Sequence, residues 1–194
     1  MTPAPGTSAV TAAPAGTRTS RRIVAIGLAA LLVAASAQVV VPVPFSPVPM
    51  TLQPLAVLVV GALLGPAAGA GALIAYLMAG VAGLPVFSAG RAGAAWLVGP
   101  TGGYLLAFPV AAALVGVLAP RHDGSGRLVR LLVALAAGTV AIHAGGVAHL
   151  ALLSGDPVAA YRIGFVPFIT GDLLKIGLAA AIVILAGPAV RSRL

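Results

Sequence analysis

The chain has 194 residues, of which 60% are apolar and only 7% charged, with a formal net charge of +8. Soluble domains are about 25% charged, so a water-soluble globule of this composition would expose large apolar patches, and the same apolar excess excludes disorder for most of the chain. A protein dissolved in lipid remains, with its positive charge carried by Arg-rich cytoplasmic loops rather than by a nucleic-acid surface. The absence of Cys excludes disulfides and thiolate metal sites. The only carboxylate side chains are Asp123, Asp156 and Asp172, so paired-carboxylate chemistry has little to draw on.

In chain order, residues 1–22 are rich in Thr, Ala, Pro and Gly, lack apolar periodicity and read as a disordered tail ending in Arg18, Arg21 and Arg22. Ile23–Val41 then has 19 uncharged residues, enough to cross ~30 Å of hydrocarbon. Arg21-Arg22 and Ala35-Ser36-Ala37 fit a cleavable signal, but the apolar run past Ala37 and the further spans favour a retained first helix. Residues 42–54 carry five prolines (Pro42, Pro44, Pro47, Pro49 and Pro54) and predict a stiff extended loop. Leu55–Leu64 and Ala67–Leu84 flank Gly65-Pro66 and are read as two helices or a re-entrant hairpin. Residues 85–103 form a Gly-rich loop, Tyr104–Ala119 an apolar helix and 120–127 a short polar loop. Leu128–Leu153, a third long loop at 154–164 and a last span over Phe165–Val190 complete the chain.

The fold expected is all-α and polytopic, with six transmembrane helices. On that path Arg18, Arg21, Arg22, Arg121, Arg127, Arg130, Arg191 and Arg193 share one side, leaving only Arg91 and Arg162 on the other. The positive-inside rule makes the first side cytoplasmic, with both termini inside. The three long loops then face outward together, an arrangement suited to binding.

Within the last span, Asp172 and Lys175 lie i,i+3 on one helix face. Each costs about 3 kcal/mol near the bilayer centre, so such charges are functional candidates. A structural ion pair is the plain alternative. A helix beginning at Phe165 would put them ~10 and ~15 Å below its outer end. Arg91 is the single charge of the second outer loop. It is either an interfacial Arg or a bidentate clamp for a carboxylate. Trp96, Tyr104, Phe45 and Phe87 belong either to the interfacial belt or to a ring-lined pocket. His143 and His149 are six residues apart, ~240° around a helix, so they do not share a face. A helix-packing role is expected for both, with a pocket wall as the other reading. Ala25/Ala29 and Ala30/Ala34 are small-xxx-small pairs that allow close helix approach, within this chain or to a partner. The sole Lys is not in a GxxxxGK[ST] loop, and HExxH and GxSxG do not occur.

The runs Pro49-Met50-Thr51-Leu52-Gln53, Gly83-Leu84-Pro85-Val86-Phe87, Gly99-Pro100-Thr101-Gly102-Gly103-Tyr104 and Gly171-Asp172-Leu173-Leu174-Lys175 resemble the BioY family over about residues 23–190. BioY proteins are the biotin-specific S components of energy-coupling-factor (ECF) transporters. The resemblance implies a six-helix substrate-binding domain over 23–194 in a bacterial plasma membrane. It implies a biotin site near the outer face, and partners in the form of a transmembrane coupling subunit and two cytoplasmic ATPases. It implies no cofactor. Carried over by motif, the site residues are Tyr104, Asp172 and Lys175, then Arg91, then Gln53 and Trp96, with Phe45, Thr51 and His149 weaker. Ala30 and Ala34 map to the pattern that docks the coupling subunit. The residues themselves suit biotin, a small bicycle with ureido N–H donors at one end and a carboxylate at the other, but they also suit other amphipathic acids. A solitary secondary transporter using Asp172 as a proton site is the alternative. An intramembrane enzyme built on His143, His149 and Asp172 lacks a catalytic geometry.

Overall fold

The computed structural model describes residues 15–120 and 124–191. Most of the tail and Asp123 lie outside the described residues. The elements in order are α1 (Ala15–Ser36), β1 (Val40–Val41), β2 (Met50–Thr51), α2 (Gln53–Val81), α3 (Ala95–Val98), α4 (Gly102–Leu118), α5 (Arg127–Ser154), α6 (Pro157–Gly164) and α7 (Ile169–Arg191). Among the described residues, four helical stretches are long and apolar enough to cross a membrane: Thr19–Ser36, Gln53–Val81, Arg127–Ser154 and Pro157–Val190. The apolar α4 is shorter, at 17 residues.

The stretch Gln53–Val81 is not one rod. Gly65 sits at φ 78°, ψ 179° in its middle, a left-handed conformation that glycine adopts without a Cβ penalty, and Pro66 cannot donate an N–H across the break. A Cβ placed on Gly69 would lie 3.2 Å from the Cα of Gly61. Eight residues of straight helix would separate those positions by ~12 Å, so the chain reverses at Gly65 and α2 is a helical hairpin. Gly61 abuts the backbone of Ala112 in α4, and Gly116 abuts Gly65 and Pro66. Side chains at these glycines would force the arms apart.

α4 packs between the α2 hairpin and α5, α1 leans on α2, and α7 contacts both α2 and α5. Two buried clusters form the interior. One, with Val57, Tyr76, Phe87, Tyr104, Phe108, Ile142 and Phe168, lies around the loops. The other, with Leu58, Val115, Leu131, Leu135, Ala179 and Val183, fills the opposite half. Polarity is inverted relative to a soluble protein: Asp172 and Lys175 are 6% and 5% exposed, whereas Leu185 is 82% exposed. A helix whose charges point inward and whose leucines point outward suits lipid.

Several elements differ from the expectation. Helix α1 begins at Ala15, inside the stretch read as tail. The proline-rich loop is bracketed by a two-residue antiparallel ribbon, Val40 opposite Thr51 and Val41 opposite Met50, and a single antiparallel bridge joins Phe87 to Arg91, so the described fold is not purely helical. The 154–164 loop contains α6: Asp156 caps it, accepting from the Val158 and Ala159 backbone N–H groups at 2.9 Å, and Pro157 suits the first helical position. The last helix starts at Ile169 rather than Phe165, after a 3-10 turn over Val166–Phe168 that contains Pro167. Asp172 therefore lies in the first turn of α7, ~5 Å from its start, and Lys175 ~9 Å. There the helix dipole favours a carboxylate.

Ala29 is buried, and Ala30 and Ala34 are half-buried against the loop-side core. Leu28, Leu31 and Leu32 form the exposed face of α1.

Candidate functional site

The three long connections converge at one end of the bundle and are tied together. Ser46 Oγ donates to the Ile163 carbonyl at 2.8 Å, joining the first connection to the third. Gln38 Nε2 donates to the Phe87 carbonyl at 3.3 Å, joining the first to the second. His149 Nε2 donates to the Gly99 carbonyl at 3.1 Å, fixing the second against α5. Tyr104 Oη donates to the Gly164 carbonyl at 2.6 Å, fixing α4 against α6. Gly146 leaves the space that the Tyr104 ring occupies.

Under these connections lies a recess of about 660 Å³, counting its open mouth. Gln53, Arg91, Trp96, Tyr104, Asp172 and Lys175 all line it, although they come from four separate parts of the chain. Thr51 lines it too, as do His143, for which a pocket wall was the second reading of the sequence, and Ser88, which the sequence did not single out. Phe45 is fully exposed at a positive φ of 66° and does not line the recess. His149 is a brace for Gly99 rather than part of the wall.

The polar floor is built on Asp172. Lys175 Nζ donates to its Oδ1 at 3.1 Å, and His143 Nε2 to its Oδ2 at 2.5 Å. All three side chains are buried. Each carboxylate oxygen can accept a further bond, and Lys175 retains two N–H donors. The floor can therefore both accept from and donate to a ligand. Gln53 is more constrained. Its Oε1 accepts from Thr51 Oγ1 at 3.1 Å and its Nε2 donates to Tyr76 Oη at 2.7 Å, which in turn donates to the Val86 carbonyl at 3.2 Å. One amide N–H of Gln53 is left over. Its main work is to lock β2, α2 and the second connection together.

Arg91 is exposed, and its guanidinium carbon stands 4.4 Å from the centre of the Trp96 ring. Among the described residues no carboxylate pairs with it. The rings of Tyr104, Phe165 and Phe168 surround His143 at 5.9, 5.0 and 5.9 Å. The recess thus has a deep ion pair, aromatic walls and a cation at the solvent side. Among the described residues no cluster of three or more His, Asp or Glu could hold a metal ion.

The pairing of His143 with Asp172 escapes a sequence reading because the two lie 29 residues apart on different helices. The available signal was a titratable residue in one apolar helix matched by an unbalanced Asp in another. Ser88 had no signal beyond its place in the second connection.

A model of the BioY family matches residues 8–192. The chain belongs to the BioY family. Biotin transporter BioY of Thermotoga maritima is 37% identical over 162 residues, covering 84% of this chain and 93% of the relative. Biotin transporter BioY of Rhizobium etli is 35% identical over 158 residues, covering 78% and 84%. Probable biotin transporter BioY of Pyrococcus horikoshii is 38% identical over 162 residues, covering 83% and 93%. The fold is also similar to a solved structure, the S-component for biotin from an ECF-type ABC transporter. The TM-score is 0.78 at 27% identity, over 88% of this chain and 93% of that one.

Proposed function

We propose that this chain is the biotin-binding S component of an ECF-type transporter in a bacterial plasma membrane, a transport subunit rather than an enzyme. Counting each arm of α2 as one pass, α1, α4, α5 and α7 bring the total to six. The Arg distribution then sets both termini in the cytoplasm, and the recess opens outward. Biotin enters there and leaves inward when a transmembrane coupling subunit and two ATPases act on the chain.

The observation that carries the reading is the match in polarity along the recess. Asp172 accepts a ureido N–H, and Lys175 donates to the ureido carbonyl. Trp96 and Tyr104 flank the rings, and Arg91 binds the carboxylate as a guanidinium does. With Asp172 and Lys175 cancelling, Arg91 supplies the one positive charge that a monocarboxylate needs. Asp172 is already held by two donors, which makes it a poor shuttle for a proton-coupled carrier.

Uptake tests the partnership. Cells lacking their own biotin transport accumulate labelled biotin against a gradient when this chain is expressed with its coupling subunit and ATPases. An ATPase with its nucleotide site inactivated abolishes that accumulation. Undiminished uptake by the chain alone, with loss on collapse of the proton gradient, would contradict the ECF assignment.

A further inference from the structure

His143 is buried, yet only one of its ring nitrogens has a partner. Nε2 lies 2.5 Å from Asp172 Oδ2, and Nδ1 is buried without a hydrogen-bond partner. An ionised carboxylate only accepts, so Nε2 carries the proton. A bare Nδ1 lone pair is tolerable there, whereas an N–H at that position would be an unsatisfied buried donor. The ring is clamped by edge contacts to Tyr104 and Phe165 and a tilted contact to Phe168. Lys175 holds the other carboxylate oxygen from the same helix, through an i,i+3 pair. That pair alone leaves the carboxylate free to turn about its own axis, since either oxygen could face the ammonium. The bond from α5 removes this freedom.

We propose that His143 is a positioning residue for the ligand: as the neutral Nε2–H tautomer it pins Asp172 in one orientation as a pure acceptor, and so selects ligands that present N–H groups to the floor of the recess. This deepens the biotin reading and rests on it. In His143→Leu the carboxylate is free to rotate or to take up a proton. The bond is present in the free and the bound protein alike, so what is lost is pre-organisation, and the cost of ordering the freed carboxylate on binding lowers affinity for biotin about 3- to 10-fold.

The test combines binding with a measurement on the ligand-free protein. Biotin affinity is measured for the wild type, His143→Leu, His143→Gln, Asp172→Asn and the double variant His143→Leu/Asp172→Asn. Gln retains a terminal N–H, so His143→Gln keeps affinity near that of the wild type. A residue acting through Asp172 adds nothing once Asp172 is changed, so the double variant stays within about twofold of Asp172→Asn. Nitrogen-15 NMR of the ligand-free wild type, assigned by loss of the signal in His143→Gln, shows His143 protonated at Nε2 and bare at Nδ1. Wild-type affinity in His143→Leu, equal losses in the Leu and Gln variants, or a full further loss on the Asp172→Asn background would each overturn the proposal. So would a ring protonated at Nδ1 only. If His143→Leu fails to fold, the Gln variant and the NMR signature decide. A wild type that binds no biotin overturns the ligand reading itself, and the His143 to Asp172 bond is then judged on the NMR signature alone.

Discussion

Lys175→Met abolishes biotin binding and also lowers the stability of the detergent-solubilised protein. The substitution fills the same space but leaves Asp172 ionised and buried with only His143 beside it. Breaking a buried ion pair from one side costs about 3–5 kcal/mol, because the remaining charge is uncompensated. Removing both charges, in Asp172→Asn/Lys175→Met, takes that penalty away, and the thermal midpoint returns toward the wild-type value. Binding does not return, because the Lys175 donor is gone and a neutral amide oxygen is a weaker acceptor for the ureido N–H than the carboxylate. Thermal unfolding and biotin titration on the wild type and these two variants separate the two roles. A double variant that recovered both stability and binding would reduce Asp172 and Lys175 to a structural bridge.

Arg91→Ala weakens the binding of biotin but not of its methyl ester. Arg91 is exposed and without a carboxylate partner among the described residues, so its removal does not disturb the buried network beneath. A charge-assisted bond to the ligand carboxylate contributes about 1.5–3 kcal/mol, or roughly 10- to 100-fold in affinity. Arg91→Glu goes further, placing like charges together. The ester lacks the charge and feels neither change strongly. Parallel titrations of acid and ester against the three proteins check this. Equal losses for both ligands would show that Arg91 acts by packing on Trp96 rather than by holding the carboxylate.

Much of the helical framework was legible because apolar runs and their interruptions report directly on span ends. Leu128–Leu153 was expected and α5 covers Arg127–Ser154; Tyr104–Ala119 was expected and α4 covers Gly102–Leu118. Gly65-Pro66 was legible as a break, but only the approach of Gly69 to Gly61 distinguishes a reversal from a kink. α6 was hidden because its sequence is only eight residues long, opening on Pro157 and closing on Gly164, and its cap Asp156 looked like one more loop residue. The start of α7 was misplaced because Phe165 and Val166 are apolar, although the residue before Pro167 resists helical geometry.

Motif resemblance brought together Gln53, Arg91, Trp96, Tyr104, Asp172 and Lys175, which the fold places around one recess. The motifs could not say which side chains have other partners. Gln53 serves mainly as a brace, and His143, outside any motif, holds the central carboxylate. Those relations depend on distances between helices, which no spacing along the chain encodes.

The central claim is that the recess binds biotin. Isothermal titration of biotin into the purified, monodisperse wild-type chain, without any coupling subunit, tests it most directly. The expected result is tight one-to-one binding, undiminished by an excess of short-chain fatty acids that share the carboxylate but lack the ureido ring. A folded protein that gave no heat with biotin, or whose binding those fatty acids displaced, would contradict it.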